Sequence, residues 1–100
     1  MRTEIQAIHF KADPGLREFI ERKIDKLTKF YDGIVSSQVY LKVNNNHGKA
    51  NKTVEIKVNV QNQSLMKTTS AESFEAATDI AVDALATQVK RYKEKLHSMA

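Results

Sequence analysis

Two clusters of cations are the residues whose type and spacing support chemistry. Arg22, Lys23, Lys26 and Lys29 form the first, and Lys90, Arg91, Lys93 and Lys95 the second, the latter interrupted by a single acid, Glu94. Arginine and lysine at this density neutralise and hydrogen-bond anionic oxygens, so the chemistry on offer is the holding of a polyanion. Little else competes. His9, His47 and His97 are far apart and share no metal-ligand spacing. Gly15, Gly33 and Gly48 stand alone, without a phosphate loop around any of them, and no Ser-His-Asp set is visible. The expectation is a protein that is not an enzyme, with no cofactor, no metal and no small-molecule substrate.

The cations have a plainer explanation too. Basic residues in the last turns of a helix complement its dipole, worth ~0.3–1 kcal/mol each when exposed. Acids nearby compete for them: Glu18 can pair with Arg22, and Glu21 and Asp25 with lysines one turn on. Lys23 lies beside an apolar helix face and can snorkel along it. Tyr92, set among Lys90, Arg91 and Lys93, either stacks on a base or packs against the first helix near Phe30 or Tyr31, and its helical phase favours packing. On the sheet, Tyr40, Lys42 and Lys57 share an outward face that is either solvated or in touch with RNA.

Bulk properties narrow the class. The chain has 100 residues, 28% charged and 41% hydrophobic, which makes residues 1–100 one ordinary globular domain with a real core. Sixteen Lys and Arg against twelve Asp and Glu leave a net charge of +4 and a pI near 9.4, a mild bias toward polyanions. There is no cysteine, which excludes a disulfide framework and fits a reducing compartment. Met1 to Phe10 lacks the apolar run of a signal peptide, and nothing approaches a membrane span, so a cytoplasmic location with no membrane partner is expected.

The elements that must position the cations follow from periodicity. Thr3 to Phe10 reads as a strand, with Ile8 and Phe10 blurring its phase. Asp13-Pro14 starts a helix, since Asp caps free N–H groups and Pro suits the first position. Leu16, Phe19, Ile20, Ile24, Leu27 and Tyr31 share one face of it, and Gly33 is expected to close it in a left-handed C-cap. Val35 to Asn44 is a second strand, with Val39, Leu41 and Val43 inward. Asn44 to Lys49 is a turn. Thr53 to Gln61 is the clearest strand, with Val54, Ile56, Val58 and Val60 inward. Leu65 to Thr69 is a weaker fourth strand. Ser70 to Leu96 is one long helix with Phe74, Ala77, Ala81, Ala84, Leu85, Val89, Tyr92 and Leu96 along its buried stripe. At ~1.5 Å per residue it runs ~40 Å, so its basic end should overhang a core whose radius of gyration is ~13 Å.

The order β-α-β-β-β-α implies an α+β fold. It is a two-layer sandwich of a four-stranded sheet with two parallel helices on one face. Strand direction then does something that composition cannot. If the first strand runs up, the first helix runs down, and after three more strands the last helix runs down as well. Both basic helix ends therefore meet at one edge of the molecule.

Three runs at the right spacing carry a family resemblance: His9 to Ile20, Lys23 to Asp32, and Ser73 to Asp79 followed by Gln88 to Leu96. In these the sequence resembles the bacterial ribosome hibernation-promoting factors, also called ribosome-associated translation inhibitors. The resemblance implies the same fold, similar to double-stranded RNA-binding domains. It also implies a partner, the small ribosomal subunit and its 16S rRNA, alone or within the 70S ribosome. There the family blocks the channel used by mRNA and tRNA and inhibits translation in slow growth or stationary phase. By motif, Arg22, Lys23, Lys26, Lys29, Lys90, Arg91, Lys93 and Lys95 are the implied RNA contacts, and a small second dimerisation factor is a further implied partner. The chain departs from the pattern at Ile8, where the family often has a basic residue, and in a more polar fourth strand. Ending at Ala100, it looks like a short form without a C-terminal dimerisation domain. Two other functions fit the residues: a general double-stranded RNA-binding module, and an interaction domain that pairs through the fourth strand.

Overall fold

The computed structural model describes residues 2–44 and 48–98. Its elements are β1 (Arg2–Ala7), α1 (Pro14–Asp25), a 3-10 turn (Lys26–Lys29), β2 (Ser36–Val43), β3 (Lys52–Val60), β4 (Gln63–Ala71) and α2 (Phe74–Ser98). The sheet order is β1-β2-β3-β4, with β1 parallel to β2 and the other pairs antiparallel. This is the expected α+β sandwich. The expected turn from Asn44 to Lys49 falls partly outside the described residues, since these omit Asn45, Asn46 and His47.

The sheet has one apolar face because alternate residues of β2 and β3 are apolar. Val39, Leu41, Val54, Ile56 and Val58 are fully buried, and Val60 nearly so. They form one core with Ile20, Ile24 and Leu27 of the first helical stretch and Phe74, Ala77, Ala81, Val82, Leu85 and Val89 of α2. Both helices therefore cover the same face. The one polar pair in this layer of β1 and β2 satisfies itself: Ser37, fully buried, shares a hydrogen bond with the Thr3 hydroxyl at 2.8 Å. The opposite face is polar and cross-linked by side chains, as in Asn59 Nδ2 to Ser36 Oγ at 3.0 Å and Thr53 to Ser70 at 2.8 Å.

Local chemistry shifts several boundaries from the sequence expectation. β1 stops at Ala7, before His9, whose φ of 64° turns the chain out of the extended region. β4 is longer than expected and takes in Ser70 and Ala71, because both pair in register with β3. As a result α2 begins at Phe74, and its cap is Ser73, whose Oγ accepts the Ala76 N–H at 3.0 Å. The first helix does not stay α-helical to Tyr31. The Thr28 hydroxyl donates to the Asp25 carbonyl at 2.6 Å, occupying the acceptor that the next α-helical bond would use, and the last turn tightens into 3-10 geometry.

Gly33 is not a left-handed C-cap; among the described residues Gly48 is the glycine with positive φ. Gly33 is needed for space, since a Cβ there would collide with the ring of Tyr31. Two stripe residues also differ from expectation. Val43, the last residue of β2, is 39% exposed, and Leu96, in the last turn of α2, is 38% exposed.

Candidate nucleic-acid interface

The contacts between the two helical stretches climb in step. Phe10 stacks on Phe74 with centroids 5.3 Å apart, and Lys23 pairs with Asp79 at 3.0 Å. Farther along, Lys90 sits over the Phe30 ring at 4.4 Å, and Tyr31 meets Tyr92 edge-on at 5.5 Å. Numbers that rise together on both partners mean parallel axes, so the two basic ends lie together, as strand parity requires.

That end projects past the sheet. The Tyr92 hydroxyl donates to the Gln61 carbonyl at 2.9 Å, in the turn between β3 and β4. Residues of α2 after Tyr92 therefore extend beyond the last strand residues. The molecule measures 46 × 24 × 19 Å, and the 25-residue α2 accounts for ~37 Å of its length. The acids Glu72, Glu75, Asp79 and Asp83 sit before or in the first half of α2, so charge is segregated along the long axis.

The eight expected cations do not form one patch. Lys29, Lys90 and Lys93 line a single open groove together with Phe30, Glu94 and His97. Lys29 and Lys93 also border an adjoining hollow with Thr28, Phe30, Tyr31 and Asp32. The Phe30 ring holds the Lys90 ammonium by a cation–π contact, which aims the charge without neutralising it. Arg22 and Lys26 are exposed on the outside of the first helical stretch, and Arg91 is exposed on α2. Lys95 lies on the other side of α2, beside the β3–β4 turn. Lys23 is different again: it is ion-paired to Asp79, lies 5.4 Å from the Phe19 ring centroid, and its side chain is only 27% exposed. Among the described residues the ion pairs are Arg2–Glu4 and Lys23–Asp79, so the i, i+4 pairs expected on α1 do not form and the groove lysines keep their charge.

Phe30 and His97 are site residues that sequence reasoning missed. His97 was legible: Lys90, Lys93 and His97 recur at i, i+3 and i+7 and share one helix face. Phe30 was not, because its partner lies sixty residues away in the chain. Tyr92 resolves toward packing. Partial burial, with the neighbouring Tyr31 phenol, holds the Tyr92 hydroxyl above its ordinary pKa of 10.0. Among the described residues no group of three or more His, Asp or Glu side chains is placed to hold a metal ion, and no helix is long and apolar enough to cross a membrane.

A small α+β sandwich with cations gathered where two parallel helices end is the class this geometry defines. The chain belongs to the Sigma 54 modulation protein / S30EA ribosomal protein family, whose model matches residues 3–97. It is 28% identical over 95 residues to the ribosome hibernation promoting factor of Azotobacter vinelandii, covering 95% of this chain and 85% of that protein. It is 27% identical over 97 residues to the ribosome hibernation promotion factor of Bacillus subtilis, covering 97% of this chain but 51% of that longer protein. The chain thus spans about half of some curated relatives and most of others. The crystal structure of the N-terminal domain of Thermus thermophilus Protein Y is similar at TM-score 0.77 and 29% identity, covering 92% of this chain and 99% of that one. A ribosomal subunit interface protein from Coxiella burnetii shares the fold at TM-score 0.83 and 21% identity, covering 94% of this chain and 99% of that one.

Proposed function

We propose that this protein is a ribosome hibernation factor that binds the small ribosomal subunit through 16S rRNA and inhibits translation by occupying the path of mRNA and tRNA. It works by filling space, without catalysis, in a manner suited to slow growth. The observation that carries this is the groove at the shared end of the two helices, where Lys29, Lys90 and Lys93 converge with no ion pair among the described residues. Phosphodiester oxygens are the complementary ligand, because close cations pair with a regular line of anions and displace condensed counterions. Arg22, Lys26, Arg91 and Lys95 extend the basic surface to either side, and Lys23 contributes least because Asp79 already holds it. Membership of a family named for a ribosomal protein supports the ribosome as the source of that RNA. The helix-on-sheet architecture also suits recognition by shape, as in double-stranded RNA-binding domains.

The test is sedimentation with purified small subunits across a salt series, with 70S ribosomes in parallel. If ~5 phosphates are neutralised, log K falls with log salt at a slope of about −4. The Lys29→Gln, Lys90→Gln, Lys93→Gln triple variant should flatten that slope by roughly 2–3. Initiator tRNA and mRNA prebound to the subunit should exclude the protein. A flat salt response, or simultaneous occupancy with tRNA, refutes the proposal.

A further inference from the structure

The groove uses only one side of the projecting end of α2. On the other side lies a second hollow, lined by Gln61 and Asn62 of the β3–β4 turn, Gln63 at the start of β4, and Tyr92, Lys95 and Leu96 of α2. We propose that this hollow seats one unpaired nucleobase of the RNA whose backbone the lysine groove holds. This rests on the ribosomal RNA reading above and adds to it a base-contacting site.

Three observations point to a base. First, the apolar stripe of α2 outlasts the sheet. Leu85, Val89, Tyr92 and Leu96 follow one another at helical spacing; Leu85 and Val89 are fully buried, yet Leu96 is 38% exposed. Leu96 thus keeps the core-facing phase but lies past the last strand residues, which leaves an open apolar floor beside the β3–β4 turn. Second, the rim is made of amides. Gln61, Asn62 and Gln63 are consecutive and exposed, and each side chain offers both a donor and an acceptor, the pairing that the edges of nucleobases also present. A wholly apolar occupant would leave these groups unused. Third, the hollow is held open in advance. Asn62 sits in the left-handed region at φ 75°, and the Tyr92 hydroxyl clamps the Gln61 carbonyl at 2.9 Å, so the turn cannot close onto Leu96.

Charge makes the occupant a nucleotide in particular. Lys95 lines the hollow and supplies a cation for the phosphate attached to the base. The hollow and the basic groove flank the same end of α2, with Lys93 and His97 lining one side and Lys95 and Leu96 the other. A strand crossing this end, only ~10–12 Å thick, would lay phosphates in the groove and turn one base into the hollow.

Leu96→Gln separates this seat from the phosphate contacts, because the residue is exposed and the change alters no charge. In the small-subunit salt series, Leu96→Gln should lower affinity by roughly tenfold at every salt concentration, the size expected for losing the apolar surface under one base. Its salt slope should match that of the unmodified protein, while Lys93→Gln should change the slope. Unchanged affinity in Leu96→Gln overturns the proposal. So does a loss seen with intact subunits but absent with deproteinised 16S rRNA, which would put a protein on Leu96. If no form binds subunits, the ribosome reading fails, and NMR decides the hollow by itself. Adenosine monophosphate should then shift the amide signals of Gln61, Asn62 and Gln63, and ribose 5-phosphate should not. An equal response to both, or to neither, rules the base seat out.

Discussion

The seam between the two helical stretches has two halves built from the same residue types with opposite outcomes. Near the start of α2, Lys23 reaches across and meets Asp79 at 3.0 Å. Near its end, Lys90 reaches back and meets Phe30 at 4.4 Å. In each half a lysine crosses the seam and an aromatic pair packs beside it, Phe10 with Phe74 in the first and Tyr31 with Tyr92 in the second. The difference is the partner of the cation. A carboxylate cancels the charge and leaves a strut. An aromatic face fixes the ammonium and leaves its field intact. The first half holds the helices together, and the second also leaves its charge unpaired beside an open groove.

Gly33→Ala should break the second half most severely. The new Cβ meets the Tyr31 ring, which can move only by giving up its edge contact with Tyr92. A loss of about 2 kcal/mol in urea unfolding is expected. Tyr31→Ala in the same background should recover part of it, since the collision is then gone.

The two lysines themselves give the next test. Lys90→Gln should weaken subunit binding by roughly tenfold and lower the salt slope by about 0.7–0.9, as removal of one phosphate contact does. Lys23→Gln should change either quantity far less, because that charge is already spoken for by Asp79. Equal effects at the two positions would erase the distinction between the halves.

Asp79→Asn turns the first half toward the second. It should cost under about 1 kcal/mol of stability, as a half-exposed ion pair is worth little. Freed of its carboxylate, Lys23 should then add to the basic surface, and binding should become slightly tighter with a steeper salt slope.

The smallest effect is alkaline. The Tyr92 hydroxyl has a raised pKa in the fold, from burial first and the Tyr31 phenol second. Above pH 10.0 the unfolded phenol loses its proton before the folded one does. The stabilisation is therefore complete below that pH and is lost as pH rises through the folded value. Tyr92→Phe should flatten the alkaline limb of a stability–pH curve, while loss of its bond to the Gln61 carbonyl lowers the neutral and acidic parts by one pH-independent amount.

Much of this molecule is legible in the chain. Val54, Ile56, Val58 and Val60 alternate with polar neighbours, so β3 and its buried face follow directly. Asp13-Pro14 marks the start of α1, where the Asp13 carboxylate indeed accepts the Leu16 N–H at 2.8 Å. The element order and strand parity bring the two basic ends together, because chain direction alternates whatever the side chains do. Boundaries set by pairing were less legible. Ser70 and Ala71 have helix-compatible neighbours, yet register with Thr53 and Lys52 keeps them in β4. Gly33 offered a familiar C-cap signal, but its actual cause is the proximity of the Tyr31 ring, a steric fact that composition does not encode.

The sequence alone determined the number of cations, their two clusters and the end of the fold where they meet, since these depend on local periodicity and on direction of travel. Tertiary structure decided which of them line an open groove and which are held by an acid. Whether a lysine in this chain stands opposite an acid or an aromatic ring depends on the axial offset of two helices packed on one sheet. That offset placed Lys23 against Asp79 and Lys90 against Phe30, and it carried Leu96 past the last strand into the open. It is a property of the packed core, set by how residues distant in sequence interlock.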